Sequence, residues 1–377
     1  MKAVINNPFL VGGYISPKYF CDRESECEKI ISALENDRNL SLISPRRIGK
    51  TGLIHHVFYN LSLRDKGVNC FYIDIFATQS LYDFVVLLGK NIFGQLDDYS
   101  EKVLKGIASF FKSARLSFSF DAISGAPNVS LDISPSNAQL SLEEIFNYLK
   151  SSGKRCYIAI DEFQQITEYP EKGIEALLRS YIQFCPNVKF IFAGSKKHLM
   201  DVIFSSVNRP FYQSTQKIGL NVIPFDTYKP FADGLFNESD KVLNEGVFDF
   251  IYSSTLGHTW YIQTILNRLF AMDKSSYDIS DVEDIINDIL EQENATYKTY
   301  CEIITKGQLK LLIAIAKENI LSSPFDSSFM KRNNLTAVSS VSLGLKSLID
   351  KTLILKDDNG SYFVYDRFFS LWLKREF

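Results

Sequence analysis

The sequence Leu40-Ser-Leu-Ile-Ser-Pro-Arg-Arg-Ile-Gly-Lys-Thr51 joins a short apolar run directly to a loop that ends in Gly-Lys-Thr. Apolar residues at helical spacing follow over 53–61, so the order is strand, loop and helix. This order matches the phosphate-binding template G-x-x-x-x-G-K-[ST], except that Ser44 stands at the first glycine position. The stretch therefore predicts a buried strand that leads into a phosphate-binding loop.

The residue types of this loop suit a nucleoside triphosphate. Gly49 and the following helix N-terminus let backbone N–H groups approach an anion. Lys50 supplies a positive charge to the outer phosphates, and Thr51 offers a hydroxyl to Mg²⁺. Of Arg46 and Arg47, one can contact the nucleotide while the other faces solvent. The residues predicted to bind nucleotide are Ser44, Pro45, Arg46, Arg47, Ile48, Gly49, Lys50, Thr51 and Gly52.

A second motif supplies two acids. The apolar run Cys156-Tyr-Ile-Ala-Ile ends in Asp161 and Glu162. In an open parallel sheet, the carboxyl ends of the strands face the crevice where ligands bind. Asp161 is therefore placed to hold Mg²⁺ through water, and Glu162 to orient and deprotonate an attacking water. Together with the loop, this pair indicates an enzyme that hydrolyses a nucleoside triphosphate.

Three further polar residues each have two interpretations. Ser195 can hydrogen-bond the γ-phosphate or the attacking water, or it can cap the helix that starts at Lys196. Arg209 can act as a catalytic arginine finger or lie at the surface. His258 can sense nucleotide, although a lone histidine is more often a packed or capping residue.

The strand and helix patterns predict an α/β P-loop fold. Further strands are expected near 69–75, 187–195 and 216–222, with helices between them. Such alternation favours a doubly wound parallel sheet that is covered by helices on both faces. Residues 1–225 are expected to form this core. It carries a β-hairpin insertion at about 115–133, preceded by a helical pattern at 101–113.

Two smaller parts are expected after the core. Residues 226–305 have an almost wholly helical pattern, with no strand signal over 226–296, and predict a helical lid. Residues 306–377 show three helical patterns and then two short strands. Asp357-Asp-Asn-Gly360 predicts a hairpin turn between these strands. Three helices followed by a hairpin is the order of a winged-helix module.

The composition excludes several classes of protein. The 377-residue chain is 46% hydrophobic and 23% charged, and its net charge of −3 argues against indiscriminate nucleic-acid binding. Six cysteines without a C-x-x-C pair, and only four histidines, argue against a zinc site or a disulfide framework and fit the reducing cytoplasm. No apolar run is long enough to cross a bilayer, so no membrane partner is expected.

Taken together, these motifs resemble the archaeal-type ATPases of prokaryotes, which are AAA+-like P-loop proteins of the STAND (signal-transduction ATPase) class. The resemblance spans nearly the whole chain. It implies an ATPase core with the loop and acid roles given above, a helical lid, a winged helix, and adenine contacts near Phe20 and Arg23. Ser44 departs from the usual glycine. The matching segments are Phe20-x-x-Arg23-Glu24, Ser44–Thr51, Ile160-Asp-Glu-Phe163, Phe192-Ala-Gly-Ser195, Arg209-Pro-Phe-Tyr212 and Gly257-His-Thr-Trp-Tyr-x-Gln263.

Three hypotheses for function follow. The first is a Mg²⁺-dependent ATPase whose ATP and ADP states act as a switch on a partner bound through residues 306–377. The second is an ATP-binding switch that turns over little alone and depends on a neighbouring subunit in a nucleotide-dependent homo-oligomer. The third is a DNA-binding regulator whose nucleotide site acts mainly as a non-hydrolysing switch. Basic residues in 306–377 alternate with acids, so the sequence leaves both DNA and protein open as partners.

Overall fold

The computed structural model describes residues 6–93, 96, 114–120, 127–357 and 359–377. The chain divides into two compact units. One unit is Gly13–Val222, and the other joins the described part of Met1–Gly12 to Ile223–Phe377. The finer domain boundaries expected after residues 225 and 305 remain predictions.

A five-stranded parallel sheet forms the centre of Gly13–Val222. Strand β1 lies between β6 and β7, with Leu40 opposite both Ile191 and Gln216. The loop that follows β1 is therefore flanked by the ends of other strands, which confirms the predicted doubly wound α/β fold. In spatial order the strands are Asn69–Asp74 (β2), Cys156–Asp161 (β5), Val188–Gly194 (β6), Leu40–Ile43 (β1) and Gln216–Gly219 (β7).

Both faces of this sheet are covered. Every residue of β1 and of β5 is buried. Ile158 and Ile160 belong to one hydrophobic cluster, whereas Tyr157 and Ala159 belong to another, because successive side chains of a strand point to opposite faces. The helices of this unit in the described residues are Glu24–Glu35 (α1), Lys50–Arg64 (α2), Leu81–Phe93 (α3), Ala138–Ser152 (α4), Ile174–Ile182 (α5) and Lys197–Ser205 (α6), with 3-10 turns at Pro17–Tyr19, Pro135–Asn137 and Phe163–Glu168.

A β-hairpin interrupts the alternation of strands and helices. Ala114–Phe120 (β3) and Pro127–Ile133 (β4) pair antiparallel, with Leu116 opposite Leu131. These strands coincide with the hairpin expected at about 115–133. The helical pattern expected at 101–113 and the turn residues 124–126 lie outside the described residues.

The second unit is mainly helical, but it also contains a short strand pair. Val242–Leu243 (β8) and Ser276–Tyr277 (β9) pair in parallel, so the expectation of no strand over 226–296 was wrong. Two residues are too few for an alternating pattern to show in a sequence. None of the helices in the described part of the chain is long and apolar enough to cross a membrane. The helices before residue 305 are Phe225–Asn237 (α7), Val247–Thr255 (α8), Thr259–Ala271 (α9), Ile279–Gln292 (α10) and Asn294–Glu302 (α11).

The rest of this unit has the predicted winged-helix order. Strands β10 and β11 pair antiparallel, with Ile354 opposite Val364, and Leu321 forms a bridge to Tyr362. The three helices before this hairpin and the helix after it complete the domain. The elements are Lys306–Glu318 (α12), Ser327–Arg332 (α13), Val338–Asp350 (α14), Ile354–Lys356 (β10), Tyr362–Val364 (β11) and Arg367–Glu376 (α15).

Candidate nucleotide-binding site

The predicted phosphate loop connects β1 to α2. Ser44 is 2% exposed, and its N–H donates to the carbonyl of Gly194 on β6 at 3.3 Å, which ties the start of the loop to the sheet. Ser44 does not adopt a left-handed φ, so serine fits here without backbone strain. Gly49 has a φ of +100°, a conformation that favours glycine. Helix α2 begins at Lys50, which leaves its first N–H groups directed at the loop.

Lys50 contacts both predicted acids. Its Nζ lies 2.6 Å from Asp161 Oδ1 and 3.5 Å from Glu162 Oε1. Lys50 and Asp161 are only 7% and 3% exposed. The structure therefore brings the loop lysine and the two acids at the end of β5 together, away from bulk water.

Asp161 is the most densely bonded group of the site. Its Oδ2 accepts hydrogen bonds from Thr51 Oγ1 at 3.1 Å and Tyr72 OH at 2.7 Å, and its Oδ1 accepts one from Glu162 N at 2.8 Å. Burial alone would raise the pKa of Asp161. The charge of Lys50 and these hydrogen bonds outweigh burial and hold the pKa below its ordinary value of 3.8, so the carboxylate stays charged.

Tyr72 is a site residue that sequence reasoning missed. It lies on β2 opposite Ala159, two residues before Asp74. Burial and the neighbouring Asp161 raise the pKa of Tyr72, so its hydroxyl keeps the proton that it donates. The sequence did carry a signal for Tyr72. Residues two apart on a strand share a face, so Tyr72 lies on the same face as Asp74, the last residue of β2.

Glu162 is held through one of its oxygens. Its Oε2 accepts hydrogen bonds from Ser195 Oγ at 2.8 Å and from the side-chain amide of Gln164. Ser195 is not the N-cap of α6, because that residue is Lys196. A hydrogen bond from Ser195 to the γ-phosphate or to the attacking water remains a prediction. Oε1 of Glu162 remains directed towards the loop cations.

Gln164 was also missed by sequence reasoning. It is 3% exposed and lies against β6. A Cβ on Gly194 would lie 2.5 Å from Met200 Sδ and would also meet the amide oxygen of Gln164. Gly194 therefore makes room for the side chain that holds Glu162.

Thr51 and Asp161 fit a magnesium ion that binds with its nucleotide. A hydroxyl and a carboxylate are oxygen ligands of the kind Mg²⁺ prefers, and Mg²⁺ commonly takes only one or two protein ligands besides water and phosphate. Within the described residues, no group of three or more His, Cys, Asp or Glu side chains could hold a metal ion by itself. The donor set thus suits a cation that nucleotide phosphates help to hold.

Arg46 is the exposed arginine of the loop. Its side chain is 47% exposed, and its Nε lies 3.9 Å from Glu162 Oε1. Its guanidinium lies 5.1 Å from the ring centre of Phe76, a residue that follows β2 and that sequence reasoning also missed. Arg47 is half-buried and has a φ of +69°. The structure therefore distinguishes the two loop arginines and places Arg46 beside the acids.

Arg209 lies in a different environment. It forms an ion pair with Glu175 on α5, and Arg179 on the same helix donates to the carbonyl of Pro210. Burial raises the pKa of Glu175, and the charge of Arg209 acts in the opposite direction. Arg209 is therefore not one of the side chains that the structure brings to the Lys50 ion pair.

Phe20 and Arg23, the expected adenine contacts, lie close to the loop. A Cβ on Gly52 would lie 3.2 Å from the Phe20 ring, so Phe20 packs on the first turn of α2. Arg23 is 4% exposed and donates to the carbonyls of Ile48 at 3.4 Å and Asn221 at 2.5 Å. Arg23 thus supports the loop from within the protein. Adenine contact remains a prediction for both residues.

His258 belongs to the second unit. It is 8% exposed and occupies the N-cap position of α9. Its ring centre lies 6.2 Å from that of Tyr261 and 6.3 Å from that of Phe363. It is thus a packed residue at a helix start, as the more common of its two interpretations predicts.

Two family models match the chain. A model of ATPase domains found predominantly in Archaea matches residues 20–265, and a model of a probable winged-helix domain matches residues 295–375. An uncharacterized ATP-binding protein of Methanocaldococcus jannaschii is 26% identical over 337 residues, which cover 82% of this chain and 84% of that protein.

Solved structures with the same fold are more distant in sequence. A Walker-type ATPase of Pyrococcus abyssi superposes with a TM-score of 0.67 at 17% identity, covering 97% of this chain and 99% of the other. The ORC2 protein of Aeropyrum pernix superposes with a TM-score of 0.57 at 14% identity, covering 98% of each chain. These matches confirm the predicted P-loop fold with a winged helix.

Proposed function

The chain belongs to the family of ATPase domains found predominantly in Archaea, and on that premise we propose that it is a Mg²⁺-dependent ATPase that works as a molecular switch. Its sequence holds an ATP-binding ATPase domain followed by a winged-helix domain. The observation that carries the proposal is the convergence of Lys50, Asp161 and Glu162 at the loop between β1 and α2.

Hydrolysis at this site would proceed through Glu162. A water oxygen bonds to the γ-phosphorus as the bond from that phosphorus to the β–γ bridging oxygen breaks. The bridging electron pair stays on ADP, and a proton of the water passes to Glu162. Ser195 and Gln164 fix the orientation of Glu162. Magnesium, held by Thr51 and Asp161, would neutralise phosphate charge.

The ion pair of Lys50 supplies the switch. In this structure the ammonium of Lys50 is neutralised by two carboxylates. Phosphate oxygens form strong charge-assisted hydrogen bonds with ammonium groups, so a bound triphosphate competes with Asp161 for Lys50. Transfer of Lys50 to phosphate would release Asp161, which would then be free to help hold a magnesium ion. Binding thus changes the end of β5, and loss of the γ-phosphate reverses the change.

The test compares the wild-type chain with Glu162→Gln. We expect Glu162→Gln to bind Mg²⁺-ATP normally, while kcat falls by roughly 10²- to 10⁴-fold because the base is lost. Glu168→Gln, which changes an exposed glutamate nearby, serves as the matched control. Failure of the wild type to bind Mg²⁺-ATP would reject the proposal. Binding without turnover in the wild type would instead favour the partner-dependent switch.

The winged-helix domain is the proposed route to a partner. Helix α14 exposes Leu343, whose side chain is 71% accessible. The same helix also lines a groove of about 280 Å³ whose lining includes two lysines. An apolar leucine offers no hydrogen bond to phosphate or to a base edge, so this face favours a protein partner over DNA. The groove is lined by Phe325, Ser342, Leu345, Lys346, Ile349, Lys356 and Tyr362.

A gel-shift assay with the full chain separates these partners. At about 0.15 M salt, weak nonspecific DNA binding is largely suppressed. A shift that persists there and weakens in Lys346→Gln would establish DNA as the partner, and its absence would leave a protein partner.

The six cysteines are all free, which supports the proposal that the chain works in a reducing compartment, the cytoplasm.

A further inference from the structure

The catalytic base and Arg46 are neighbours in this structure. Nε of Arg46 lies 3.9 Å from Oε1 of Glu162, the oxygen that Ser195 and Gln164 leave free. A general base must lie within hydrogen-bond reach of the water that it activates, and that water must lie against the γ-phosphorus. A guanidinium beside this oxygen is therefore also close to the region where charge develops during the reaction.

We propose that Arg46 is the arginine finger of this ATPase, supplied by the phosphate loop of the same chain. This inference rests on the proposed ATPase function. As the γ-phosphoryl group is transferred to water, negative charge accumulates on its oxygens and on the bridging oxygen of ADP. The planar fork of Arg46 can donate two parallel hydrogen bonds to such oxygens.

The contact between Arg46 and Glu162 is suited to being exchanged. It joins a 47% exposed arginine to Glu162 at 3.9 Å, and so long a contact with an exposed partner contributes little stability. A triphosphate carries more charge than one carboxylate and competes for the guanidinium. When Arg46 and Lys50 both move to phosphate, Oε1 of Glu162 loses its two cations and becomes available to the attacking water.

The aromatic ring of Phe76 supports the guanidinium of Arg46 near the site. The guanidinium lies over the Phe76 ring at 5.1 Å, and the ring is itself 57% exposed. A cation–π contact at an exposed position is weak, so it limits the positions of Arg46 without fixing them. Phe76 follows β2. The backbone N–H of Phe76 donates a hydrogen bond to Asp74 Oδ1 at 2.9 Å, which fixes the Phe76 backbone beside the site.

Arg209, the arginine-finger candidate from the sequence, is paired with Glu175 in this structure. Its partner Glu175 is only 9% exposed. Withdrawing Arg209 would leave a buried carboxylate without its cation, which is costly. The side chain of Glu162 is buried to a similar degree, but it keeps the hydrogen bonds of Ser195 and Gln164 when Arg46 leaves, whereas Oε2 of Glu175 has no partner in the described residues. The movement of Arg46 is therefore the less costly one. A finger in the same chain also removes the need for a neighbouring subunit to complete the site.

The test compares the wild type with Arg46→Met, which keeps a long apolar stem but removes the charge. We expect kcat to fall by about 10³-fold while KM changes little, because the contact is made in the transition state. The affinity for ADP with aluminium fluoride, an analogue of the transition state, should fall relative to the affinity for ADP alone. Phe76→Ala should give a smaller loss in the same two measurements. Wild-type turnover per chain should not depend on protein concentration.

Arg64→Met is the matched control, since Arg64 pairs with Glu28 near the far end of α2. Equal turnover and equal analogue affinity in Arg46→Met and wild type would overturn the inference while leaving the ATPase proposal standing. Turnover that rises steeply with protein concentration and is lost in Arg209→Met would overturn it in favour of a finger from a neighbour. A wild type that binds no nucleotide would reject the proposed function itself.

Discussion

The ion pair between Lys50 and Asp161 couples the stability of the core to the proposed nucleotide site. Both side chains are less than one-tenth exposed, and their charged atoms are 2.6 Å apart. Removing one partner of such a pair leaves a buried charge uncompensated, which costs more than the pair itself contributes. Thr51 and Tyr72 would remain as hydrogen-bond donors to Asp161 and would offset part of that cost.

We expect Lys50→Met to abolish nucleotide binding and to lower the free energy of unfolding by about 3 kcal/mol at neutral pH. Urea unfolding with and without Mg²⁺-ATP measures both effects. The double variant Lys50→Met with Asp161→Asn is the control for buried charge. It should recover much of the stability but none of the binding. Equal stability in the two variants would show that Asp161 does not need a cation.

The same variant should change how stability depends on pH. In the wild type the pKa of Asp161 is lowered from 3.8, so its stabilisation is complete above that value and is lost as pH falls through the lower, folded-state pKa. Without the charge of Lys50 we expect the pKa of Asp161 to be higher than in the wild type, so the carboxylate contributes less stability at neutral pH. The difference in unfolding free energy between wild type and Lys50→Met should therefore be larger at about pH 7 than at about pH 4. A constant difference would contradict this assignment.

The sequence identified the core residues of the site but not those that orient them. Lys50, Thr51 and the two acids follow from a template with fixed spacing. Tyr72 could not be assigned in this way, because it reaches Asp161 from a neighbouring strand that is 89 residues away in sequence. Gln164 lies only two residues after Glu162, but no template gives that position a role. The roles of Arg46 and Arg209 were left open for the same reason, since ion-pair partners depend on side-chain positions that no local pattern records.

Strand β6 needs a glycine where it passes the site. We expect Gly194→Ala to lower the free energy of unfolding by about 1–3 kcal/mol, because the added methyl would overlap Met200 and Gln164. Displacement of Gln164 should also free Glu162 and reduce kcat. Thermal or urea unfolding and steady-state turnover measure the two effects.

Gly219→Ala on β7 is the matched control for Gly194→Ala. The nearest atom to a Cβ at that position is the carbonyl oxygen of Ile43, at 3.9 Å. Stability should therefore stay equal or rise slightly, since alanine loses less conformational freedom than glycine on folding. Similar losses in both variants would show that the strands simply do not tolerate alanine, and that Gln164 is not involved.

Helix α15 buries an arginine that is only partly hydrogen-bonded in the described residues. Arg367 is fully buried, and its one side-chain hydrogen bond in the described residues goes to Asn319 Oδ1 at 3.2 Å, whereas Nε and Nη1 have none. Lys374 donates to the same oxygen at 2.5 Å, so two cations share one neutral acceptor. Burial lowers the pKa of Arg367 to about 10, which still leaves it charged at neutral pH.

We therefore expect Arg367→Met to stabilise the chain by about 1 kcal/mol or more, since apolar residues often replace poorly paired buried charges with a gain. Chemical unfolding at neutral pH measures the change. Arg332→Met, at an exposed arginine paired with Glu318, is the control and should stay within about 0.5 kcal/mol. A clear loss in Arg367→Met would show that a bound anion or ordered water satisfies the guanidinium.

Long apolar elements were predictable, whereas short ones and boundaries were not. The strand expected near 187–195 is β6 at Val188–Gly194, because six of its seven residues are apolar or small and leave few alternatives. The last core strand was expected over 216–222 but ends at Gly219, where pairing with β1 stops. Strands β8 and β9 depend on each other for pairing across the helices between them, and this tertiary contact has no local signature.

The N-terminal segment links distant parts of the sequence within the second unit. Asn7 and Asn267 are 260 residues apart. The side-chain amide of Asn7 donates to the backbone carbonyl of Asn267 at 2.8 Å, and the side-chain amide of Asn267 donates to the backbone carbonyl of Phe9 at 2.7 Å. Phe9 is fully buried, with its ring centre 5.0 Å from that of Phe236 and 5.8 Å from that of Phe270. The helices after residue 223 therefore complete their core with a residue from the start of the chain.

We expect Phe9→Ala to lower the free energy of unfolding of this unit by about 3–5 kcal/mol, through lost burial and the cavity that remains. The measurement is hydrogen exchange followed along the full chain. Amides of α7 and α9, which carry Phe236 and Phe270, should exchange much faster, whereas amides of the parallel sheet should stay protected. Val11→Ala, at a partly exposed neighbour, is the control and should leave both patterns unchanged. Because the N-terminal contacts close a loop of 260 residues, their formation must follow synthesis of α9, and refolding of the wild type should show a slow phase that Phe9→Ala lacks. Unchanged exchange in α7 and α9 would mean that the helices hold together without the N-terminal segment.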